Sequence, residues 1–157
     1  RLPKTRFVCV NLSGGSLNDE KFIRDAFAMV AEAGSIASMI CFEITESVAL
    51  HDLGNTNRFI DTVRRYGAKV AMDDFGAGYT SFSYLKELAA EAVKIDGAFV
   101  SEMLFNPSDQ AMVEAITQVA HTLGIYVIAE HATNMETVDR LRELGVEGAH
   151  VIRDILA

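Results

Sequence analysis

Cysteine is scarce in this sequence, and the few cysteines present point away from a disulfide-stabilised fold. Cys9 and Cys41 are the only two, and both lie in apolar, strand-like runs. We therefore expect buried, reduced thiols rather than a disulfide. Two cysteines so far apart also make no metal-binding signature. Reduced thiols favour a cytoplasmic protein.

Long apolar segments and an excess of positive charge are also missing. No apolar run approaches the roughly 20 residues that cross a bilayer, and the first residues, Arg1–Lys4, do not lead into a signal-peptide core. Lysine and arginine total 14 against 22 aspartates and glutamates, for a formal net charge of −8. Such a chain is a poor partner for nucleic acid or for an anionic membrane surface. An anionic ligand would need cations to mediate its approach.

What the sequence does contain is a regular alternation of short apolar runs and segments with helical periodicity. With 157 residues, half of them apolar, the chain is sufficient for one domain with a hydrophobic core. No linker or low-complexity segment divides it, so we treat residues 1–157 as a single domain. The alternation predicts an α/β fold with mainly parallel strands in about six strand–helix units. The predicted strands are Phe7–Leu12, Ile40–Thr45, Lys69–Asp73, Ala92–Asp96, Tyr126–Glu130 and Gly148–Ile152.

The predicted helices follow these strands, and each has start or stop signals of its own. The predicted cap of the first is Asn18, and Asn134 is the predicted cap of the last. Glycines such as Gly67 mark several helix ends. The predicted helices are Asn18–Ala33, Thr56–Tyr66, a segment near Ser81–Leu88, a turn at Ala98–Leu104, a helix from Ser108 up to Gly124, and Met135–Leu144.

The stretch Lys69–Thr80, KVAMDDFGAGYT, is unusual because a strand leads straight into two adjacent carboxylates. Asp73 and Asp74 are followed by Phe75-Gly76-Ala77-Gly78, a permissive backbone that can fold closely over whatever the aspartates hold. Taken alone, the pair could instead cap the helix that begins near Thr80.

Polar residues end five successive predicted strands. They are Asn11, Glu43, Asp73, Lys94 and Glu130. Because carboxyl ends of parallel strands meet at one edge of a sheet or barrel, we expect these side chains to converge. Each residue alone also has a structural explanation, for example a snorkelling surface lysine, but their joint occurrence favours a site.

The chemistry of this set fits a hard cation. Asn, Glu and Asp oxygens suit Mg²⁺ or Mn²⁺, and Asp74 beside Asp73 can ligate a second ion. Two such ions clamp a phosphodiester and activate water. Lys94 could then steady the developing charge, and Glu130 could act as general base.

These motifs resemble those of the EAL-domain phosphodiesterases, which linearise cyclic di-GMP. The resemblance covers nearly the whole chain and implies a modified TIM barrel that uses Mg²⁺ or Mn²⁺. It implies metal positions at Asn11, Glu43, Asp73 and Asp74, a catalytic lysine at Lys94 and a general base at Glu130. It also implies that Glu46 braces the loop after the paired aspartates. The motifs are VNLS (10–13), FEITES (42–47), DDFGAGYTS (73–81), VKIDGAFV (93–100) and VIAE (127–130).

Three departures from the family pattern stand out. The strand with the Glu-Ala-Leu signature would precede Arg1, so the barrel is expected to be incomplete, with six strand–helix units rather than eight. The second glutamate of the family's Glu-Gly-Val-Glu is Thr133 here. The family's Gln-Gly-Tyr reads His150-Val151-Ile152. Asp96 and His150 remain candidate substrate contacts.

Two functions therefore stay open. The first is metal-dependent hydrolysis of cyclic di-GMP to linear pGpG in the intact parent, with this chain alone inactive because it lacks one metal ligand. The alternative is a degenerate domain that binds cyclic di-GMP or a protein without turnover. A barrel aldolase with Lys94 as Schiff base is disfavoured by the metal-like neighbours and by the resemblance. The unpaired edge of Phe7–Leu12 predicts a homodimer or another edge-strand association.

Overall fold

The computed structural model describes residues 8–78 and 82–151, and these form one parallel sheet covered by helices. The strands are β1 Val8–Leu12, β2 Ile40–Thr45, β3 Lys69–Phe75, β4 Ala92–Ile95, β5 Tyr126–Ala132 and β6 Gly148–Val151. Their order in the sheet is their order in the chain, and all five pairings are parallel. The predicted α/β fold with six parallel strands is confirmed.

Helices connect the successive strands. They are α1 Gly14–Leu17, α2 Glu20–Glu32, α3 Glu46–His51, α4 Leu53–Arg65, α5 Ser83–Glu87, α6 Gly97–Glu102, α7 Pro107–Thr122 and α8 Met135–Glu143, with a 3₁₀ helix at Gly34–Met39. Among the described residues, no helix is long and apolar enough to cross a membrane.

Two short helices, α1 and α3, were not predicted, and the first of them changes a predicted cap. Ser13 caps α1, so Asn18 falls at the carboxyl end of that helix instead of starting α2. Asp19 caps α2, because its side chain accepts hydrogen bonds from the backbone of Lys21 and Phe22 at 2.9 and 3.2 Å. The prediction of Asn18 as a cap was therefore wrong by one residue.

The other helix boundaries differ by a few residues from their predictions. The predicted helix at Thr56 begins three residues earlier, at Leu53, because Asp52 accepts from the backbone of Asn55 at 3.0 Å. The predicted cap Asn134 is confirmed, since it accepts from Thr137 N at 2.8 Å. The helix predicted near Ser81 spans Ser83–Glu87, and Ser81 itself lies outside the described residues.

The hydrophobic core lies between the sheet and the helices because alternate strand residues face that way. On the strands, the fully or nearly buried side chains are Phe42, Ile44, Val70, Met72, Val93, Ile95, Val127 and Ala129. On the helices, the matching buried residues include Val30, Phe59, Ile60, Val63, Val113, Ile116 and Leu141. The residues between them on the strands face the opposite side of the sheet, which carries the polar groups.

At the amino ends of the strands, two glutamates complete the hydrogen-bond ladder in the same way. Glu91, just before β4, accepts a hydrogen bond from Val70 N of β3 at 2.8 Å and pairs with Arg64 of α4 at 2.6 Å. Glu147, just before β6, accepts from Val127 N of β5 at 2.8 Å, and its other oxygen lies 2.9 Å from His121 Nε2 of α7. Each carboxylate thus satisfies a backbone N–H that the ladder leaves open.

One edge of the sheet is β1, which among residues 8–78 and 82–151 pairs with β2 alone. Its valines Val8 and Val10 are exposed. Cys9 on the same strand is exposed as well, so the predicted burial of this thiol was wrong. An edge of this kind offers free backbone groups to another strand. Association of two chains through this edge stays a prediction.

Glu91→Ala is predicted to lower the free energy of unfolding by about 1–3 kcal/mol, because Val70 N–H loses its acceptor in a buried strand. Urea denaturation at fixed pH measures the change. Glu87→Ala is the matched control, since Glu87 is an exposed glutamate on α5 and is expected to change stability little. Equal stability of the Glu91 and Glu87 variants would contradict a ladder role for Glu91.

Candidate metal centre

Lys94 lies at the centre of the polar face, surrounded by carboxylates from three other strands. Its Nζ atom is 2.7 Å from Glu130 Oε1, 2.9 Å from Asp73 Oδ1 and 3.2 Å from Glu43 Oε2. These four side chains are each 10–15% exposed. The predicted convergence of Glu43, Asp73, Lys94 and Glu130 is thus what the geometry shows.

The charge state of Lys94 follows from these contacts. Burial by itself would lower the pKa of the lysine, since it penalises the ammonium form. Hydrogen bonds and charge interactions with Glu130 and Asp73 outweigh burial, so the pKa of Lys94 is raised. A raised pKa favours the charged ammonium form of Lys94 at physiological pH.

The paired aspartates reach the same side of the sheet because β3 carries a bulge. In a regular strand, Asp73 and Asp74 would face opposite sides. The register with β4 shifts between Met72 and Phe75, and Asp74 adopts a left-handed backbone with φ of 51°. Aspartate tolerates this conformation better than most residues do. The bulge turns Asp74 towards Asp73 and lengthens β3 beyond its predicted end.

A second bulge follows Glu130 in β5. The register with β6 shifts between Ala129 and Ala132, and His131 has a φ of 54°. The imidazole of His131 packs against the backbone at the start of α6, so closely that a Cβ built on Gly97 would lie 2.6 Å from the ring. The sequence predicted no role for His131. The available signal was that the related motif has glycine at this position, and glycine is the residue that most easily adopts a positive φ.

Three carboxylates at the carboxyl ends of the strands, which we call the rim of the sheet, are close enough to share a cation. Ligand oxygens of Asp73, Asp74 and Glu130 all lie within 4.8 Å of one another. Asp73 Oδ1 is buried and lies 2.9 Å from Lys94 Nζ. Burial raises the pKa of Asp74, and the charges of Asp73, Asp96 and Glu130 raise it further.

These observations fit a divalent cation. Carboxylates that lie close together and largely out of solvent repel one another, and added positive charge stabilises them. Oxygen donors of this kind select hard ions such as Mg²⁺, Mn²⁺ or Ca²⁺. Glu130, predicted as general base, belongs to this group, whereas Glu43, predicted as a ligand, contacts Lys94.

The remaining predicted residues take varied positions. Asn11 pairs in register with Glu43 and is exposed, and the structure shows no hydrogen bond for its side chain within the described parts of the chain. Glu46 is buried, and its carboxylate accepts a hydrogen bond from Gly76 N in the turn that follows the aspartates. Asp96 caps α6 by accepting from Ala98 N at 2.7 Å. His150 lies in β6, but its side chain is outside the described part.

A cavity of about 460 Å³ adjoins Asp74. Its lining combines hydroxyls, carboxylates and small residues, which suits a polar ligand that lies beside the carboxylate group. The lining residues are Thr45, Glu46, Ser47, Leu50, Asp74, Ala77, Gly78 and Asp96.

Comparison with known families and structures gives a consistent result. The family model described as EAL domain matches residues 1–150. Cyclic di-GMP phosphodiesterase PdeB of Shewanella oneidensis is 38% identical over 143 residues, which are 90% of this chain and 17% of that protein. The chain therefore spans about a sixth of the length of this relative.

Two solved structures show the same architecture. The EAL domain of Mycobacterium smegmatis DcpA matches with a TM-score of 0.82 and 32% identity, over 91% of this chain and 64% of that one. Klebsiella pneumoniae BlrP1 in a manganese and cyclic di-GMP complex matches with a TM-score of 0.80 and 26% identity, over 91% and 37% of the two chains.

The close contact between α6 and the second bulge generates a stability prediction. Gly97→Ala is predicted to lower the free energy of unfolding by about 1–3 kcal/mol, because its Cβ collides with the rigid base of the His131 ring. Adding His131→Gly to this variant removes the ring and is predicted to restore most of the loss.

Thermal denaturation of the two variants, with Gly15→Ala as control, measures this coupling. A Cβ on Gly15 would have only an ordinary contact, 3.7 Å from Ser13 Oγ. A Gly97→Ala chain as stable as the wild type would show that the packing of His131 on α6 is not tight.

Proposed function

This chain belongs to the EAL domain family, and from that premise we propose that it forms part of a metal-dependent phosphodiesterase that hydrolyses cyclic di-GMP to linear pGpG. The observation that carries the proposal is the group of Asp73, Asp74 and Glu130 beside Lys94. Relatives that bear the name of this activity support the choice of substrate.

The carboxylate group is the part that would hold the metal. Asp73, Asp74 and Glu130 supply oxygen ligands suited to Mg²⁺ or Mn²⁺. A bound divalent cation would polarise the phosphodiester and lower the pKa of water at the site. Manganese and calcium in the structures of a related protein support divalent-metal dependence, and Mg²⁺ or Mn²⁺ is our proposed choice.

The chain's own residues then have separable tasks. Lys94 presents a fixed positive charge to the scissile phosphate and balances the carboxylates around it. Glu130, whose Oε1 contacts Lys94, is our candidate for accepting a proton from water at this rim. Glu43 is buried and bonds to Lys94, so it orients the ammonium group.

The adjoining cavity is where we place the rest of the ligand. A phosphate near Asp74 would leave a nucleoside facing the hydroxyls of Thr45 and Ser47. The Asp96 carboxylate at the same cavity can accept hydrogen bonds from the N–H groups of a guanine edge. Asn11 and His150 stay candidates for further ligand contacts at this rim.

A second function, binding of cyclic di-GMP without turnover, is favoured by one group of residues. Thr133 replaces an acidic residue of the related motif, and His131 places a side chain where that motif has glycine. Both lie within three residues after Glu130. The same assay separates a receptor from an enzyme, because a receptor retains the ligand and releases no pGpG.

We predict that the natural protein in which this chain occurs releases pGpG with Mg²⁺ or Mn²⁺ and stops when EDTA removes the metal. Asp73→Asn and Glu130→Gln are each expected to lower the rate by about 100-fold or more, since each removes a charged group from the site. Chromatography of the nucleotide products measures the rate. The 157-residue chain by itself is expected to show no turnover, as its sequence contains no Glu-Ala-Leu motif.

The matched control is Asp61→Asn, which changes an exposed aspartate on α4 that is not one of the rim residues. Release of pGpG in the presence of EDTA would contradict the proposal. Release at the wild-type rate by the Asp73 and Glu130 variants would contradict it as well. Tight binding of cyclic di-GMP with no pGpG in any condition would establish the receptor instead.

A further inference from the structure

Glu46 is a buried carboxylate with two donors from different parts of the chain. Glu46 is the first residue of α3 and is 3% exposed. One oxygen, Oε2, accepts a hydrogen bond from Gly76 N at 3.0 Å. The other, Oε1, accepts from the hydroxyl of Tyr84 on α5. Glu46 therefore ties α5 to the turn that follows β3.

Tyr84 is buried where it makes this bond. It is 5% exposed, and its ring packs against Phe75, the last residue of β3, with centroids 6.0 Å apart. Burial raises the pKa of Tyr84, and the hydrogen bond to Glu46 raises it further. The hydroxyl is thus a permanent donor to the carboxylate.

The turn that Glu46 contacts begins at one of the candidate metal ligands. Asp74 has a left-handed backbone, and Gly76 follows with a φ of 100°. Ala77 N donates to Asp74 O at 3.4 Å, and Gly78 lies against the Glu46 carboxylate. The N–H of Gly76 can meet Glu46 only while this turn keeps its shape.

Gly76 is also confined from its other side. A Cβ on Gly76 would lie 2.9 Å from the ring of Phe99 and 3.3 Å from Ile116. The turn is therefore clamped between the Phe99 side and Glu46. If Glu46 rotates, the turn loses the hydrogen bond from Gly76 N and the contact at Gly78, both close to Asp74 in the chain.

We propose that Tyr84 is a positioning residue of the candidate metal centre, which holds Glu46 in the orientation that fixes the turn after Asp74 and so aligns Asp74 with Asp73 and Glu130. Tyr84 itself does not contact the metal or the substrate. This inference rests on the proposed metal-dependent function.

The test is the affinity for Mn²⁺, measured by isothermal titration calorimetry on the wild-type chain, Tyr84→Phe, Glu46→Gln and the double variant. Tyr84→Phe removes one oxygen and keeps the ring. It is expected to weaken Mn²⁺ binding on the order of tenfold, as loss of outer support typically does at metal sites. In the double variant, Tyr84→Phe adds no further loss to that of Glu46→Gln, because it acts through Glu46.

A tyrosine that does not support the metal centre is expected to leave Mn²⁺ affinity unchanged when it loses its hydroxyl. Tyr66→Phe is the matched control, since Tyr66 is exposed and lies at the carboxyl end of α4. It is expected to bind Mn²⁺ as the wild type does. Glu46→Asp keeps the charge but shortens the reach to Tyr84, so it is expected to weaken Mn²⁺ binding similarly and provides the test if Tyr84→Phe fails to fold.

Three results would overturn the inference: unchanged Mn²⁺ affinity in folded Tyr84→Phe, additive losses in the double variant, or no Mn²⁺ binding by the wild type. The measurement is independent of turnover. Mn²⁺ affinity that depends on Tyr84 and Glu46 as described, in a protein that releases no pGpG, would refute the proposed hydrolysis and leave this inference standing.

Discussion

The rim of this sheet depends on one buried ammonium group. Lys94 is within 3.2 Å of carboxylates from β2, β3 and β5, all of them largely screened from solvent. Without a cation, three carboxylates at this distance would repel one another in a medium that screens charge poorly. Lys94 offsets part of that repulsion in a chain that is strongly acidic overall. One lysine cannot balance several carboxylates. Burial raises the pKa of Asp74, and the charges of Asp73, Asp96 and Glu130 raise it further. A divalent cation would balance the remaining negative charge.

Two bulges convert the regular sheet into a site. A strand alternates its faces, so it can offer only every second residue to a common centre. Residues with a left-handed backbone interrupt that alternation in two strands. Asp74 is itself a candidate ligand, and His131 directly follows the candidate ligand Glu130. In β3 the consequence is that two adjacent carboxylates serve one group. The cost of such a backbone is of order 1–3 kcal/mol at each residue, and the fixed turn beyond Asp74, braced by Glu46, offsets it locally.

The sequence predicted the sheet and much of the site for clear physical reasons. Parallel strands are buried on both faces, so their apolar runs were easy to recognise, and polar residues at their carboxyl ends had to arrive at one edge. Hence Glu43, Asp73, Lys94 and Glu130 could be grouped by their strand-end positions alone. The bulges were not predicted, because the letters DD and EH do not specify a left-handed backbone, and the one indication was the glycine of the related motif at the position of His131. Tyr84 was missed for a related reason: its place on a buried helical face is typical of a core residue, and only the three-dimensional contact with Glu46 shows its polar task.

The division of labour among the carboxylates is the central claim, and locating a bound ion tests it most directly. Crystals of the protein grown with Mn²⁺ and measured at the manganese absorption edge would give the position of the ion independently of any assay. The account predicts an anomalous peak coordinated by carboxylate oxygens of Asp73, Asp74 and Glu130, with Lys94 and Glu43 still in contact beside it. A peak bound by Glu43 and Asn11 and remote from Glu130, or no peak at this rim, would contradict it.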